Sequence, residues 1–482
     1  MRLCRGPAEL PRGGCPRRTG QFEFIWEVFI LGKYFGTDGI RGIVNENLDA
    51  NLAFRVGAAA AMALSNGEGK KPLFAIGKDT RISGDMLEGA LLAGLCSAGA
   101  DVICLGVVPT PAVAFIARDR GADAGVVISA SHNPYEHNGI KFFSSAGFKL
   151  GDELEGRIEE LLDHPERLIK KRDGELGCVL ESGDSYVERY CRHVRSAAFG
   201  AIGGQKVLID CANGAACRTV SRVFGGFPLE LEFICDHPDG VNINMGCGST
   251  NTALLSSKVV EGKFDLGIAF DGDADRCLVV DENGELVDGD KIIAICGVYM
   301  KEHGRLRRNT VVTTVMSNIG FHDFAHSRGI DVETTRVGDR YVLERMLSGG
   351  FVLGGEQSGH VIFLDDTTTG DGQLCAVKFL SVLSASGKKV SELVAEIPKY
   401  PQVLHNLHVA DVAVRNAIMG RPALREAIRE EEESLGARGR VLVRPSGTEP
   451  LIRVMVEAET PERAAACAKH LESVIRACET ST

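Results

Sequence analysis

Three stretches of this chain follow one plan: a short apolar strand, a polar loop, an amphipathic helix and a second strand. No other feature narrows the fold so far. They are Leu73 to Gly77 with Met86 to Gly99 and Asp101 to Leu105; Lys206 to Asp210 with Ala215 to Phe224 and Leu229 to Cys235; and Thr310 to Val315 with Ile319 to Arg328 and Asp331 to Thr335. Gly99-Ala100-Asp101-Val102 is even echoed as Gly329-Ile330-Asp331-Val332. Near-continuous β-branched runs alternating with helical periods predict parallel-rich sheets covered on both faces. The expectation is therefore α/β, with three domains of related build. After Tyr400-Pro401 the plan stops. An edge-like segment from His405 to Val409, a helix carrying Arg425, Glu426 and Glu430 to Glu433, strands Arg440 to Val443 and Leu451 to Val456, and a helix from Pro461 to Cys478 predict a small α+β domain with an antiparallel sheet.

A chain of 482 residues can bury several cores, and its formal net charge of -11 argues against broad nucleic-acid or anionic-membrane binding. An anionic substrate must then be met by local arginines and lysines. The 15 cysteines form no Cys-x-x-Cys pair and mostly sit in apolar stretches, which suits buried reduced thiols in a cytoplasmic compartment rather than disulfides or zinc. Residues 1–32 read as a non-catalytic extension. Its arginines precede an apolar stretch, Phe22 to Leu31, that holds the sole tryptophan, Trp26; Glu23 and Glu27 interrupt it, and it is too short to span a bilayer.

Five polar segments carry chemistry. Ser131 follows the apolar strand Ala124 to Ile128, beside His132 and Asn133, where an open α/β sheet exposes a nucleophile; Lys141 lies near enough to neutralise a phosphoserine. Asp271, Asp273 and Asp275 alternate at the end of the strand Leu266 to Phe270, and hard carboxylate oxygens at that spacing suit Mg²⁺. An EF-hand fails because its sixth position needs glycine and here is Arg276, and because Cys277 to Asp281 reads as a strand. Arg444, Ser446, Gly447 and Thr448 offer a guanidinium fork, two hydroxyls and a close backbone approach, as a phosphate requires, on what is also a plausible hairpin turn. Glu356, Gln357, Ser358 and His360 supply donors and acceptors for a polyhydroxylated ligand, although taken alone a turn with a structurally satisfied His360 is the better reading. Phe35 to Gly42 is too glycine-dense for helix or strand, so Arg41 is expected on a loop; no Walker A lysine follows it.

These segments, in this order from Lys33 onward, resemble the α-D-phosphohexomutases, and Lys33 to Gly42, Gly355 to His360 and Arg444 to Pro450 look most like the branch acting on glucosamine phosphates. The resemblance implies a heart-shaped, four-domain α/β enzyme, three related domains with mixed sheets plus the C-terminal α+β domain, divided at 33–187, 188–291, 292–403 and 404–482. It would interconvert glucosamine 6-phosphate and glucosamine 1-phosphate through a bisphosphorylated sugar, towards UDP-N-acetylglucosamine and the cell wall. By the same resemblance Ser131 is the phosphoserine, its phosphate joins Asp271, Asp273 and Asp275 on Mg²⁺, and Arg276 and Lys141 balance the charge. Glu356 and Ser358 meet sugar hydroxyls; Arg444, Ser446, Gly447 and Thr448, with Arg453, hold the distal phosphate; Arg41 aids proton transfer. The implied partners are a phosphorylated amino sugar and its 1,6-bisphosphate, with no nucleic acid or membrane, and a homodimer left open. A phosphomannomutase or phosphoglucomutase shares every catalytic part; Gln357 and the loop Arg336 to Arg340, with Asp339 facing an amino group, are where they would differ. A phosphatase would find the Arg444 clamp superfluous, and a sugar-phosphate sensor needs neither Ser131 nor the aspartates.

Overall fold

The computed structural model describes residues 32–36, 38–65, 70–180, 184–446 and 450–480. Residues 1–31, with Trp26, and Gly447 and Thr448 lie outside them. Among the described residues the strands form four sheets. The first holds β1 (Ile40–Ile43), β2 (Leu73–Lys78), β3 (Asp101–Val107), β4 (Ala124–Ile128), β5 (His137–Ser144) and β6 (Val179–Leu180), in the order β1-β5-β4-β2-β3-β6. The second holds β7 (Lys206–Asp210), β8 (Glu230–Ile234), β9 (Leu266–Phe270), β10 (Cys277–Asp281) and β11 (Leu286–Val287), in the order β11-β10-β9-β7-β8. The third, β13-β12-β14-β15, uses β12 (Thr310–Thr314), β13 (Asp331–Thr335), β14 (Leu353–Gly355) and β15 (Val361–Phe363). Each pairs its repeat strands in parallel (β2 with β3, β7 with β8, β12 with β13) and adds an antiparallel edge, so all three are mixed. The fourth, of β16 (Gln402–His408), β17 (Arg440–Pro445) and β18 (Leu451–Glu457), is antiparallel with β18 central, leaving β16 at an edge as expected.

Three local readings need correction. Ile40–Ile43 is a strand, with Arg41 opposite Gly139 of β5, so Arg41 does not lie on a loop. The glycine density is real, but Gly36 and Gly39 are spent on a tight bridge just before the strand, with Gly39 at φ +79. The expected helix Ala215 to Phe224 is a 3-10 turn, Ala215–Arg218, followed by a short helix, Val220–Phe224. The C-terminal domain also has a helix at Val412–Gly420 that its polar start hid; Asp411 caps it by accepting from the Val414 N–H.

Burial shows how the domains join. In the first domain the helices Ala50–Leu64 and Gly84–Ser97 pack backbone to backbone, since a Cβ on Gly57 or Gly94 would lie 2.4 Å from Leu91 O or 2.0 Å from Phe54 O. One apolar core then runs through all three α/β units, from Val127 through Tyr190, Val207 and Phe270 to Phe363 and Phe379. The C-terminal sheet keeps its own core, with Ile452, Val454, Ala464 and Leu471. Its polar attachment is Glu457, fully buried, which accepts from Arg440 Nε (2.8 Å), Asn318 Nδ2 (3.2 Å) and the Ile319 N–H (2.9 Å).

That carboxylate pins the fourth domain to the helix Ile319–Ser327 of the third. Glu457→Ala leaves Arg440 uncompensated in a part-buried site, and is expected to cost about 3 to 5 kcal/mol at this junction. Hydrogen exchange of Gln402–His408 should accelerate in the variant; unchanged protection there would show that apolar contacts alone hold the domain.

Candidate active site

Ser131 follows β4 after Ser129 and Ala130 and is almost fully buried, with φ +51. A serine in the left-handed region costs energy unless its surroundings hold it there. They do so through the backbone. Arg81 donates from Nη2 to the carbonyls of Ser131 (2.9 Å) and Asn133 (2.8 Å), and from Nη1 to Pro134 O. Asp79 fixes Arg81 at Nε (2.9 Å) and also accepts from Ser129 Oγ (2.6 Å), whose oxygen in turn accepts the Ser131 N–H. From the second domain, Asn244 Nδ2 donates to the same Ser131 and Asn133 carbonyls, at 3.0 and 3.2 Å. Sequence reasoning missed Asp79, Arg81 and Asn244. The signal for the first two was present, because they follow β2 as Ser131 follows β4 in the same sheet.

Ser131 Oγ donates to Asp271 Oδ2 at 2.6 Å, joining the ends of β4 and β9 across two domains. The backbones meet as closely: a Cβ on Gly272 would lie 2.6 Å from Ser131 O, and one on Gly214 would lie 2.4 Å from Gly272 O. Thr110, opening the helix Thr110–Arg120, donates its N–H to Asp273 O (2.9 Å) and its hydroxyl to Asp273 Oδ2 (2.7 Å). Ligand oxygens of Asp271, Asp273 and Asp275 lie within 4.8 Å of one another, and all three residues are buried. Burial, then Asp275 and Asp273, hold the Asp271 carboxyl well above the usual carboxylate range. Asp273 Oδ1 and Asp275 Oδ1 are buried without any hydrogen-bond donor. Crowded hard oxygens with unused lone pairs are what a small divalent cation needs, so the donor set fits one.

Cations ring this charge. Lys141, buried, lies 2.9 Å from Asp273 and 3.1 Å from Asp38; burial opposes its charge, but those two carboxylates raise its pKa overall. Asp38 also binds Arg41 and, at 2.6 Å, Lys149, so Arg41 reaches the aspartates through a relay of alternating charge. Arg276 donates its N–H to Asp271 Oδ1 (3.2 Å), and its Nε lies 3.8 Å from Asp275 Oδ1. His132 Nδ1 is 3.4 Å from Ser131 Oγ; burial, then Arg276 and Arg41, push its pKa down to about 4, which leaves a neutral ring beside the nucleophile at neutral pH.

The third domain brings Glu356 and His360 to this centre. The loop between β14 and β15 docks on β10 through Cys277 N–H to Gly359 O (3.0 Å), and Gly359, at φ +95, allows that approach. Glu356 accepts from the Gly338 N–H at 3.2 Å, while Ser358 is exposed. His360 Nδ1 faces Asp275 at 3.5 Å. Burial disfavours its charge, yet Asp275 and Asp339 raise its pKa to about 9, whereas the Gly370 N–H donated to Nε2 (3.1 Å) favours the neutral ring; His360 is thus structurally satisfied. Asp339 pairs with Lys149 at 2.6 Å, clasping the first domain to the third.

Of the remaining predicted residues, Arg444, Ser446 and Arg453 lie on the fourth domain. Arg444 stands opposite Arg453 across β17 and β18, and burial followed by Arg453 lowers its pKa. Arg453 Nε is buried without an acceptor, and among the described residues neither arginine makes an ion pair. Ser446 is buried, its carbonyl held by Arg415 Nη1. Two adjacent guanidinium groups with no carboxylate between them among the described residues are suited to an external anion.

A buried serine one hydrogen bond from an aspartate triad, with a pair of arginines on a separate domain, is a site of the kind that an isomerising phosphotransferase requires. The chain belongs to the phosphoglucomutase/phosphomannomutase family, whose α/β/α domains I, II and III match residues 32–168, 184–284 and 288–400 and whose C-terminal domain matches residues 404–473. It is 52% identical over 434 residues to a phosphoglucosamine mutase of Moorella thermoacetica, covering 90% of this chain and 96% of that one. It is 51% identical over 429 residues to the phosphoglucosamine mutase of Brevibacillus brevis, covering 89% and 95%. The fold is shared with a phosphoglucomutase/phosphomannomutase family protein from Burkholderia thailandensis (TM-score 0.77, 24% identity, 92% and 97% covered). It is also shared with Aspergillus fumigatus N-acetylphosphoglucosamine mutase, solved with GlcNAc-6P and magnesium (TM-score 0.67, 17% identity, 92% and 96% covered).

Arg81 contacts Asp79 and the carbonyls of Ser131, Asn133 and Pro134 rather than the serine hydroxyl, so Arg81→Ala should displace the serine through its backbone. A displacement of that kind is expected to lower kcat by roughly a hundredfold with KM little changed. Steady-state kinetics would show it; a kcat within twofold of the parent would mean that Asn244 alone holds the loop.

Proposed function

We propose that this chain interconverts glucosamine 6-phosphate and glucosamine 1-phosphate through a phosphorylated Ser131 and a glucosamine 1,6-bisphosphate, towards UDP-N-acetylglucosamine. The substrate reading rests on relatives named phosphoglucosamine mutase that match this chain at 52% identity over nearly its whole length. The chemical reading is carried by the 2.6 Å contact between Ser131 Oγ and Asp271. On this reading residues 33–187 present the nucleophile, 188–291 the metal loop, 292–403 the sugar loop and 404–482 the distal clamp. The free thiols of the described cysteines suit a reducing, cytoplasmic setting.

Asp271, Asp273 and Asp275, with an oxygen of the Ser131 phosphate, would hold Mg²⁺, which when bound supplies positive charge against the phosphoryl oxygens. Ser131 gives its phosphoryl group to the free hydroxyl of the sugar monophosphate and later accepts the other phosphoryl group from the bisphosphate, so serine and sugar exchange groups with no net change in phosphate. Lys141 and Arg276 balance the charge that spreads over the transferring oxygens. Arg444, Ser446 and Arg453, with Gly447 and Thr448, hold whichever phosphate is distal, and Glu356 and Ser358 orient the sugar hydroxyls. His132 and the Arg41–Asp38 pair stand beside the centre to steady the sugar hydroxyl as its proton leaves.

A coupled assay on glucosamine, glucose and mannose phosphates decides the substrate: the highest kcat/KM is expected for glucosamine phosphate, and a preference for either neutral sugar would overturn the reading. Intact-protein mass should show one phosphate that Ser131→Ala removes together with turnover; full turnover in that variant would exclude the phosphoserine. Chelation by EDTA should abolish activity and Mg²⁺ restore it. Arg444→Lys keeps the charge but loses the fork, and should weaken sugar-phosphate binding by about 1 to 3 kcal/mol. An unchanged affinity would move the distal site elsewhere.

A further inference from the structure

Behind the loop that steadies Ser131 lies a second cluster of ligating groups, unused by the chemistry above. Asp210 ends β7, Cys235 follows β8, and Cys247 lies in the segment leading back towards β9. One ligand atom from each lies within 4.8 Å of the others. We propose that Asp210, Cys235 and Cys247 bind a thiophilic divalent cation of the Zn²⁺ class, at a site separate from the aspartate triad.

The donor set differs in kind from the triad. Two sulfurs and one oxygen select a soft or borderline ion, whereas three carboxylates select a hard one. A tetrahedral zinc ion holds its donor atoms roughly 3.5 to 3.8 Å apart, so modest side-chain adjustment closes the observed cluster. Asp210 is fully buried, and among the described residues it makes no ion pair. Its oxygens accept the N–H groups of Ala212 (2.9 Å) and Gly248 (2.7 Å). Each oxygen keeps a further lone pair, and such amide contacts orient a carboxylate as the outer partners of a metal ligand do. The Cys235 thiol is also within hydrogen-bonding reach of Asp210, and a cation would take the place of that thiol proton between them. Cys247 is buried while Cys235 is half-buried, which leaves a side for entry and for a water as fourth ligand. Chain spacing hides this site, because eleven residues separate the two cysteines and Asp210 comes from another strand.

The site has a mechanical consequence. Its two cysteines bracket residues 236–246, and Asn244 within that loop donates to the Ser131 and Asn133 carbonyls. Asn244 is tied to the same sheet end by its own N–H, donated to Ala212 O at 2.9 Å. A metal joining Cys235 to Cys247 closes the base of the loop and stiffens the brace on the nucleophile. Binding displaces the thiol protons, so affinity rises with pH.

The test titrates the full-length protein with Cd²⁺ under saturating Mg²⁺. Ultraviolet thiolate-to-metal charge transfer reports binding, and hydrogen exchange follows residues 236–246. A charge-transfer band that Zn²⁺ quenches and Mg²⁺ does not is expected, with slower exchange in the loop. Cys235→Ser and Cys247→Ser should each weaken it at least about tenfold, with circular dichroism retained. If the buried Cys247→Ser fails to fold, the half-buried Cys235→Ser decides. Absence of the band, or a band of undiminished affinity in Cys235→Ser, would assign any binding to other thiols such as the exposed Cys178 and overturn the proposal.

Discussion

The structure is organised around negative charge crowded into a buried place. Asp271, Asp273 and Asp275 converge within a few ångströms of Ser131, and a phosphate on that serine would add about -1.5 to -2 more. Such an assembly is unfavourable in a low-dielectric site unless cations surround it. Lys141 and Arg276 approach directly, Arg41 and Lys149 through Asp38. The loops themselves come from the ends of strands in different sheets, and they meet only because Gly214 and Gly272 let the backbones touch. The apolar core common to the three α/β domains follows from the same requirement, since the serine and its aspartates belong to different domains and must not drift apart.

The fourth domain obeys a different constraint. It keeps a separate core and carries two neighbouring arginines that no carboxylate neutralises among the described residues. On the proposed function, an anion clamp separate from the nucleophile would suit a reaction in which one sugar must present first one end and then the other. Glu457 supplies a hydrogen-bonded attachment rather than a continuous core, which is how a domain can be anchored and still move as a unit.

Much of this was legible in the sequence, for identifiable reasons. Ser131 and the aspartates each follow a run of apolar residues that can only be a buried strand, so their place at a sheet edge follows from pattern alone. Arg41 was misread because glycine density is a local signal, and pairing with β5 outweighs it. Asn244 and Lys149 were out of reach, since their partners Ser131 and Asp38 lie 113 and 111 positions away, and Asp339 was singled out without its ion-pair partner Lys149 on another domain. Arg81 and Asp79 were within reach, had the strand-end argument applied to β4 been extended to β2. The cysteines show the limit of spacing rules most clearly: the absence of Cys-x-x-Cys argued against a metal, yet β7 and β8 bring Asp210, Cys235 and Cys247 together.

The central claim is that Ser131 and the three aspartates form one metal-phosphate centre. Anomalous diffraction from crystals of the phosphorylated protein soaked in Mn²⁺ in place of Mg²⁺ tests it most directly. The account predicts a single strong peak bonded to oxygens of Asp271, Asp273 and Asp275 and to an oxygen of the Ser131 phosphate. A peak that engages the aspartates while the phosphate turns away from it, or no peak at the triad, would contradict it.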